Sequence, residues 1–248
     1  TGANENFAAT GDLDIRDSVA IGTFVESTED YPTVDGSVLG DRIFSVLANN
    51  NELVQFINFK MVNGDATGNG GGIYVGPGNQ VAIQRVWFED NTADSGGAIY
   101  AAATSTLDII DSVFVGNAAV SHGGAVTTYA DTQIEKTTVY DNLNFNDDRQ
   151  EAIFVGYSNL GEDGLTIRNS TVFNNDRTGI YSVAADISIR NTTIADHNLG
   201  FGVVADVGSV VPELRMRNSV LFDNNIDCGV TNIDYNVNNW NITSDQSC

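Results

Sequence analysis

Residues 69–117 read N-G-G-G-I-Y-V, then V-A-I-Q-R-V-W-F-E-D-N, then S-G-G-A-I-Y-A, then L-D-I-I-D-S-V-F-V-G-N, so the second half of the stretch repeats the first. Asn91 and Asn117 are 26 residues apart, as are Ile73 and Ile99. A period of roughly 20–50 residues marks a solenoid, a propeller or an array. Each half holds short apolar runs with two-residue alternation, separated by Gly, Asn and Asp, which is strand and turn with no helix between. One coil of strands per repeat, stacked on the next, predicts an all-β, right-handed parallel β-helix (β-solenoid) of about nine coils.

Outward from this stretch the register persists. Runs ending at Asn91, Asn117, Asn142, Asn175, His197 and Asn224 align on one strand and its turn. The aligned apolar sets Leu107/Ile109/Phe114, Leu165/Ile167/Val172, Ile187/Ile189/Ile194 and Leu214/Met216/Leu221 are expected to face inward. In the other strand of each coil the middle residue (Ile73, Ile99, Val126, Ile153, Ile180, Val203) is apolar and β-branched, and is placed inward too. Two polar columns follow. The Asn column suits a tight turn whose amide bonds its neighbours. Ser112, Thr137, Ser170, Thr192 and Ser219 form a second, expected at a bend where a hydroxyl satisfies buried backbone. The step from Asn142 to Asn175 is 33 residues, so residues 143–164 carry an insertion, expected as a surface loop. Residues 1–230 are read as one β-helix domain and 231–248 as a polar tail.

The chain has 33 acidic and 11 basic residues, a net charge of −22. That argues against nucleic acid as a partner, and no stretch reaches the roughly 20 apolar residues of a membrane-spanning helix. No signal peptide is read, so the sequence is taken as mature or as a fragment. Cys228 and Cys248, the two cysteines, suggest a disulfide in an oxidising compartment that ties the tail back; two free thiols are the alternative.

The G-G-A-I motif of residues 96–99 followed by F-x-x-N at 114–117 resembles the repeat of chlamydial-type polymorphic outer-membrane proteins. G-D-L-D-I-R-D-S (11–18), D-R-I-F-S-V (41–46), G-N-G-G-G-I-Y (68–74) and the two cysteine-bearing C-terminal segments are similar to bacterial right-handed parallel β-helix surface proteins. Many of those open with Cys-Ser-Leu-Arg-Glu-Ala-Ile. That opening is absent here, which leaves the first coil to be capped by other residues or by a partner. The resemblance implies the fold and a secreted or cell-surface location, and brings no catalytic residues with it.

Three columns could carry chemistry. Arg168, Arg190 and Arg217 share one repeat position, with Arg215 two residues before the last. They would grip an acidic group through bidentate bonds, unless acids such as Glu213 or Asp186 neutralise them. Tyr74, Tyr100, Phe154 and Tyr181, interrupted by Thr127, make a strip for sugar rings if they point outward and core if they do not. Asp90, Asp141, Asp196 and Asp223 precede the turn, and Asp147 and Asp148 lie in the insertion. Calcium is the one ion this acidic pattern would admit, with Asp147 and Asp148 as ligands; no cofactor is required. A glycosidase needs two facing carboxylates, and the closest set is Asp147, Asp148 and Glu151. His122 and His197 stand in no recognisable lyase motif. The reading is therefore an exported, non-enzymatic surface module for structure, adhesion or self-assembly, with glycan binding as part of it. Its partners would be further copies of itself, neighbouring surface chains or polysaccharide. The alternative is a polysaccharide lyase or glycoside hydrolase acting on an acidic glycan.

Overall fold

The computed structural model describes residues 11–23, 31–48, 52–145, 150–157, 164–206, 211–230, 234–237, 241–245 and 247–248. These residues form a parallel β-helix, all strand and turn. Nine strands make the first sheet, sixteen the second and three the third, and the strand pairs are parallel. The solenoid has about seven turns, close to the expectation of about nine coils.

One coil shows why the sequence winds this way. Ile99–Ala101 lies in the first sheet and Thr106–Ile110 in the second. The chain then turns at Asp111, continues in the second sheet as Val113–Val115, turns again at Gly116 and enters the third sheet as Ala118–His122. Both corners need positive φ. The first is filled by Asn58, Arg85, Asp111, Lys136, Asn169, Asn191 and Asn218, and the second by Asn63, Asp90, Gly116, Asp141, Asn174, Asp196 and Asp223. Asn, Asp and Gly dominate because they reach the left-handed region at least cost. The Asp column is thus a backbone requirement of the second corner.

Alternation along each strand fills the core. Leu107, Ile109 and Phe114 and their equivalents are buried, as are Ile73, Ile99, Val126, Ile153, Ile180 and Val203. Each large apolar side chain so removed from water contributes about 1.5–3 kcal/mol. Phe114 stacks on Phe88 with ring centroids 4.7 Å apart, which the rung spacing of about 4.8 Å allows.

The polar columns lie inside and form two hydrogen-bonded ladders. Asn91 Nδ2 donates to Asn117 Oδ1 (2.9 Å), Asn117 to Asn142 (2.9 Å) and Asn142 to Asn175 (3.0 Å). His197 takes the next place. It lies 3.4 Å from Asn175 Nδ2 through Nε2 and 2.7 Å from Asn224 Oδ1 through Nδ1. Gly179 makes room for it, since a Cβ there would meet the imidazole at 2.9 Å. In the hydroxyl ladder, each Oγ donates to a carbonyl two residues back, and those of Ser112, Thr137, Ser170 and Ser219 accept a backbone N–H from the preceding rung. Ser112 does so with Ile110 O and Val86 N. Asn241 closes this ladder, accepting from Ser219 N and donating to Met216 O.

The β-helix runs past residue 230, where the repeat pattern fades. Asp234–Val237 pairs with Glu213–Arg217, and Ile242–Thr243 pairs with Val220–Phe222. Backbone pairing persists there without the repeated Asp-Asn turn that made earlier coils recognisable. Cys228 and Cys248 form the disulfide, with Cα atoms 5.2 Å apart. It closes a 20-residue separation and is expected to contribute about 3 kcal/mol. Thermal unfolding of the Cys228→Ser, Cys248→Ser variant checks this: the C-terminal coils should melt earlier, and an unchanged transition contradicts it. Among the described residues no helix is long and apolar enough to cross a membrane. The first ten residues, on which capping of the first coil was left open, lie outside the described residues.

Candidate functional site

Strands Leu165–Arg168, Ile187–Arg190 and Glu213–Arg217 are consecutive rungs of the second sheet. Leu165/Ile167, Ile187/Ile189 and Leu214/Met216 point inward, so Arg168, Arg190 and Arg217 point outward, in register from rung to rung. Their surroundings differ. Arg168 is committed to Glu135 on the rung before it, with Nε at 3.0 Å and Nη2 at 2.8 Å from Oε2. Arg190 and Arg217 are exposed, and among the described residues neither has an acidic partner in ion-pair range. Two like charges about 5 Å apart in water-like surroundings repel by about 1 kcal/mol.

Arg215 lies beside them, half-buried. Its guanidinium is held by Glu213 at 2.6 Å, with Asp186 at 4.0 Å. Ser188 is its register partner on the neighbouring rung. Ser188 is 1% exposed, and its Oγ has no hydrogen-bond partner. A cavity of about 100 Å³ is lined by Ser188, Ile189, Arg190, Arg215 and Arg217. The sequence showed the arginines and missed the serine. Its signal was the alternation itself, which puts residue 188 on the same side as Arg190.

The aromatic column sits on the first sheet, so arginines and aromatics do not form one site. Tyr74, Tyr100, Thr127, Phe154 and Tyr181 are register partners. The stack is only partly open: Tyr74 and Tyr100 are half-buried, while Phe154 and Tyr181 are buried. Tyr74 stacks on Tyr100 at 5.7 Å, and Phe154 on Tyr181 at 6.2 Å. Tyr129, which the sequence did not single out, bridges the gap at Thr127 by packing against both Tyr100 and Phe154. Gly156 gives it room. Burial, followed by the neighbouring Tyr129 and Tyr74, pushes the Tyr100 hydroxyl up to about 12, so it stays neutral.

Next to this column stands an acid–base pair. His122 Nδ1 is 3.1 Å from Glu151 Oε1, and the imidazole stacks on Phe154 at 4.3 Å. Glu151 is 1% exposed. Glu151, named in the sequence reading as one of the carboxylates an enzyme would use, is thus buried against the histidine. Asp147 and Asp148, its companions in that reading and the candidate calcium ligands, lie outside the described residues. Among the described residues no group of three or more His, Cys, Asp or Glu is placed to hold a metal ion.

A family model described as the Chlamydia polymorphic membrane protein (Chlamydia_PMP) repeat matches residues 88–102, the corner and Gly-Gly turn of one coil. The chain is a β-helix repeat protein that resembles the polymorphic outer-membrane proteins. Among curated proteins none matches this sequence. Two solved structures are similar. A rhamnogalacturonan lyase shares 12% identity at a TM-score of 0.37, over 86% of this chain and 59% of its own. The Azotobacter vinelandii mannuronan C-5 epimerase AlgE6 A-module shares 11% at 0.29, over 96% and 92%. This chain therefore spans 59% of the lyase's length, and neither likeness carries an argument about activity.

Proposed function

We propose that this protein is a secreted or cell-surface β-helix module that works by adhesion and without catalysis. Acidic polysaccharide is its ligand, and other copies or neighbouring surface chains are further partners. The observation that supports this is the pair Arg190 and Arg217. In a chain of net charge −22, two exposed cations stand side by side on a rigid sheet, with no acid paired to them among the described residues. Like charges are held together at a cost unless an anion joins them. The ladders beneath fix the strands, so the guanidinium groups start from an ordered platform and less ordering is required on binding.

An acidic polymer is repelled by the protein as a whole, so binding at physiological salt reports a local site. At about 0.15 M salt the screening length is about 8 Å, which removes distant acids and leaves contact pairs. The immobilised chain is expected to retain acidic polysaccharide and to release a neutral one of equal length. Equal retention of the two, or of neither, contradicts the proposal.

One observation favours catalysis instead: a partly exposed His122 oriented by a buried Glu151. That arrangement suits a general base. It lies away from the arginine sheet, so an enzyme of this kind would work along the aromatic column.

A further inference from the structure

We infer that the cavity between Arg190, Arg217 and Ser188 captures a single oxyanion group of an acidic glycan, a uronate carboxylate or a sulfate ester. The inference rests on the adhesive reading and gives it a ligand chemistry and an address.

Four features converge on one group. The volume, about 100 Å³, is far below the roughly 300 Å³ of pockets that enclose ring compounds. It admits a carboxylate or sulfate and leaves the sugar ring outside. Arg190 and Arg217 lie on adjacent rungs in register, and each can present a forked pair of N–H donors. Ser188 Oγ, buried and without a partner, supplies a hydroxyl at the cavity wall. A buried polar group is ordinarily paired, and an oxyanion would complete this one. Arg215 is anchored by Glu213 and Asp186, so it shapes the wall with its charge already offset. Upstream, Arg168 is occupied by Glu135. The open cationic site is thus two rungs deep, which fits one acidic group and excludes a row of them.

The test is calorimetric titration of the intact chain at 0.15 M salt with an oligogalacturonate, a dextran sulfate of similar length and neutral dextran. Wild-type protein should bind at least one acidic probe and not the neutral one. Preference between the acidic probes separates carboxylate from sulfate. Arg190→Ala and Arg217→Ala should each weaken binding about tenfold or more, and Ser188→Ala about fivefold. Arg16→Ala, an equal charge change on an exposed residue in the first coils, should change it less than about twofold. Thermal unfolding confirms that each variant is folded. Binding that survives Arg190→Ala and Arg217→Ala unchanged overturns this site while leaving the adhesive reading intact. A wild-type chain that binds no acidic probe overturns both. An equal loss in Arg16→Ala overturns the site in favour of a general charge effect.

Discussion

Asn117→Ala is expected to lower the unfolding free energy by about 4 kcal/mol, far more than truncation of an exposed turn asparagine would. Asn117 is fully buried. Its Oδ1 accepts from the Asn91 backbone N–H at 3.1 Å and from Asn91 Nδ2 at 2.9 Å. Its Nδ2 donates to Phe88 O, Val115 O and Asn142 Oδ1, at 3.1, 3.2 and 2.9 Å. Truncation leaves several of these partners buried without a mate, at about 1–3 kcal/mol each. The damage falls between two rungs, and a solenoid holds together through nearest-neighbour contacts. Urea unfolding should therefore show a lower midpoint, with the flanking coils separating into two transitions. A loss below about 1 kcal/mol contradicts the ladder as a stabilising element.

The second large effect is at His197, the one imidazole in the amide ladder. It is fully buried, and burial pulls its pKa from 6.5 down to about 4, against the opposing pull of Asn224 and Asp196. The neutral ring donates from Nδ1 to Asn224 Oδ1 and accepts at Nε2 from Asn175 Nδ2. A second ring proton would face another donor. The unfolded chain takes up its proton near pH 6.5 and the folded chain only near 4. Between those values the unfolded state binds more protons, and stability falls as pH falls. The drop from 6.5 to about 4 corresponds to about 3 kcal/mol, complete below pH 4 and absent above about 6.5. Carboxylates titrate in part of this window, so the informative quantity is the difference from His197→Asn, which restores the amide. Stability of that variant should fall less from pH 7 to pH 4, by about 3 kcal/mol. Parallel curves contradict the assignment.

The fold was legible because a β-helix repeats its constraints. Ile73, Ile99 and Val126 announce the inward face by period, and Asn91, Asn117 and Asn142 announce a column. Within a rung, alternation fixes which way each residue points, so Arg168, Arg190 and Arg217 were readable as an outward row. What the sequence could not supply is the angle between strands of one coil. The turns between first-sheet and second-sheet strands, as at Thr104 and Ala184, and corners such as Gly116 divide the surface into sheets, and this separates the arginines from Tyr74 and Tyr100. Contacts made by side chains reaching across rungs were hidden for the same reason. Glu135 neutralises Arg168 from 33 residues away, Glu151 orients His122 from 29, and Tyr129 fills the gap that Thr127 leaves in the aromatic column. The Asp column shows the opposite case. A periodic acidic pattern suggests a cation site, yet positive φ at Asp90, Asp141, Asp196 and Asp223 accounts for it through the backbone alone. Alternation put Ser188 on the arginine side, yet a serine among arginines is unremarkable until its hydroxyl proves buried and unpaired.

The central claim is that this rigid β-helix holds an acidic glycan without transforming it. The most direct measurement is mass spectrometry of an oligogalacturonate or sulfated oligosaccharide recovered from the protein after prolonged incubation, with the bound fraction quantified in the same sample. The account predicts a bound ligand of unchanged mass. Shortened or unsaturated products that vanish in His122→Ala would contradict it and move the working site to the histidine beside the aromatic column.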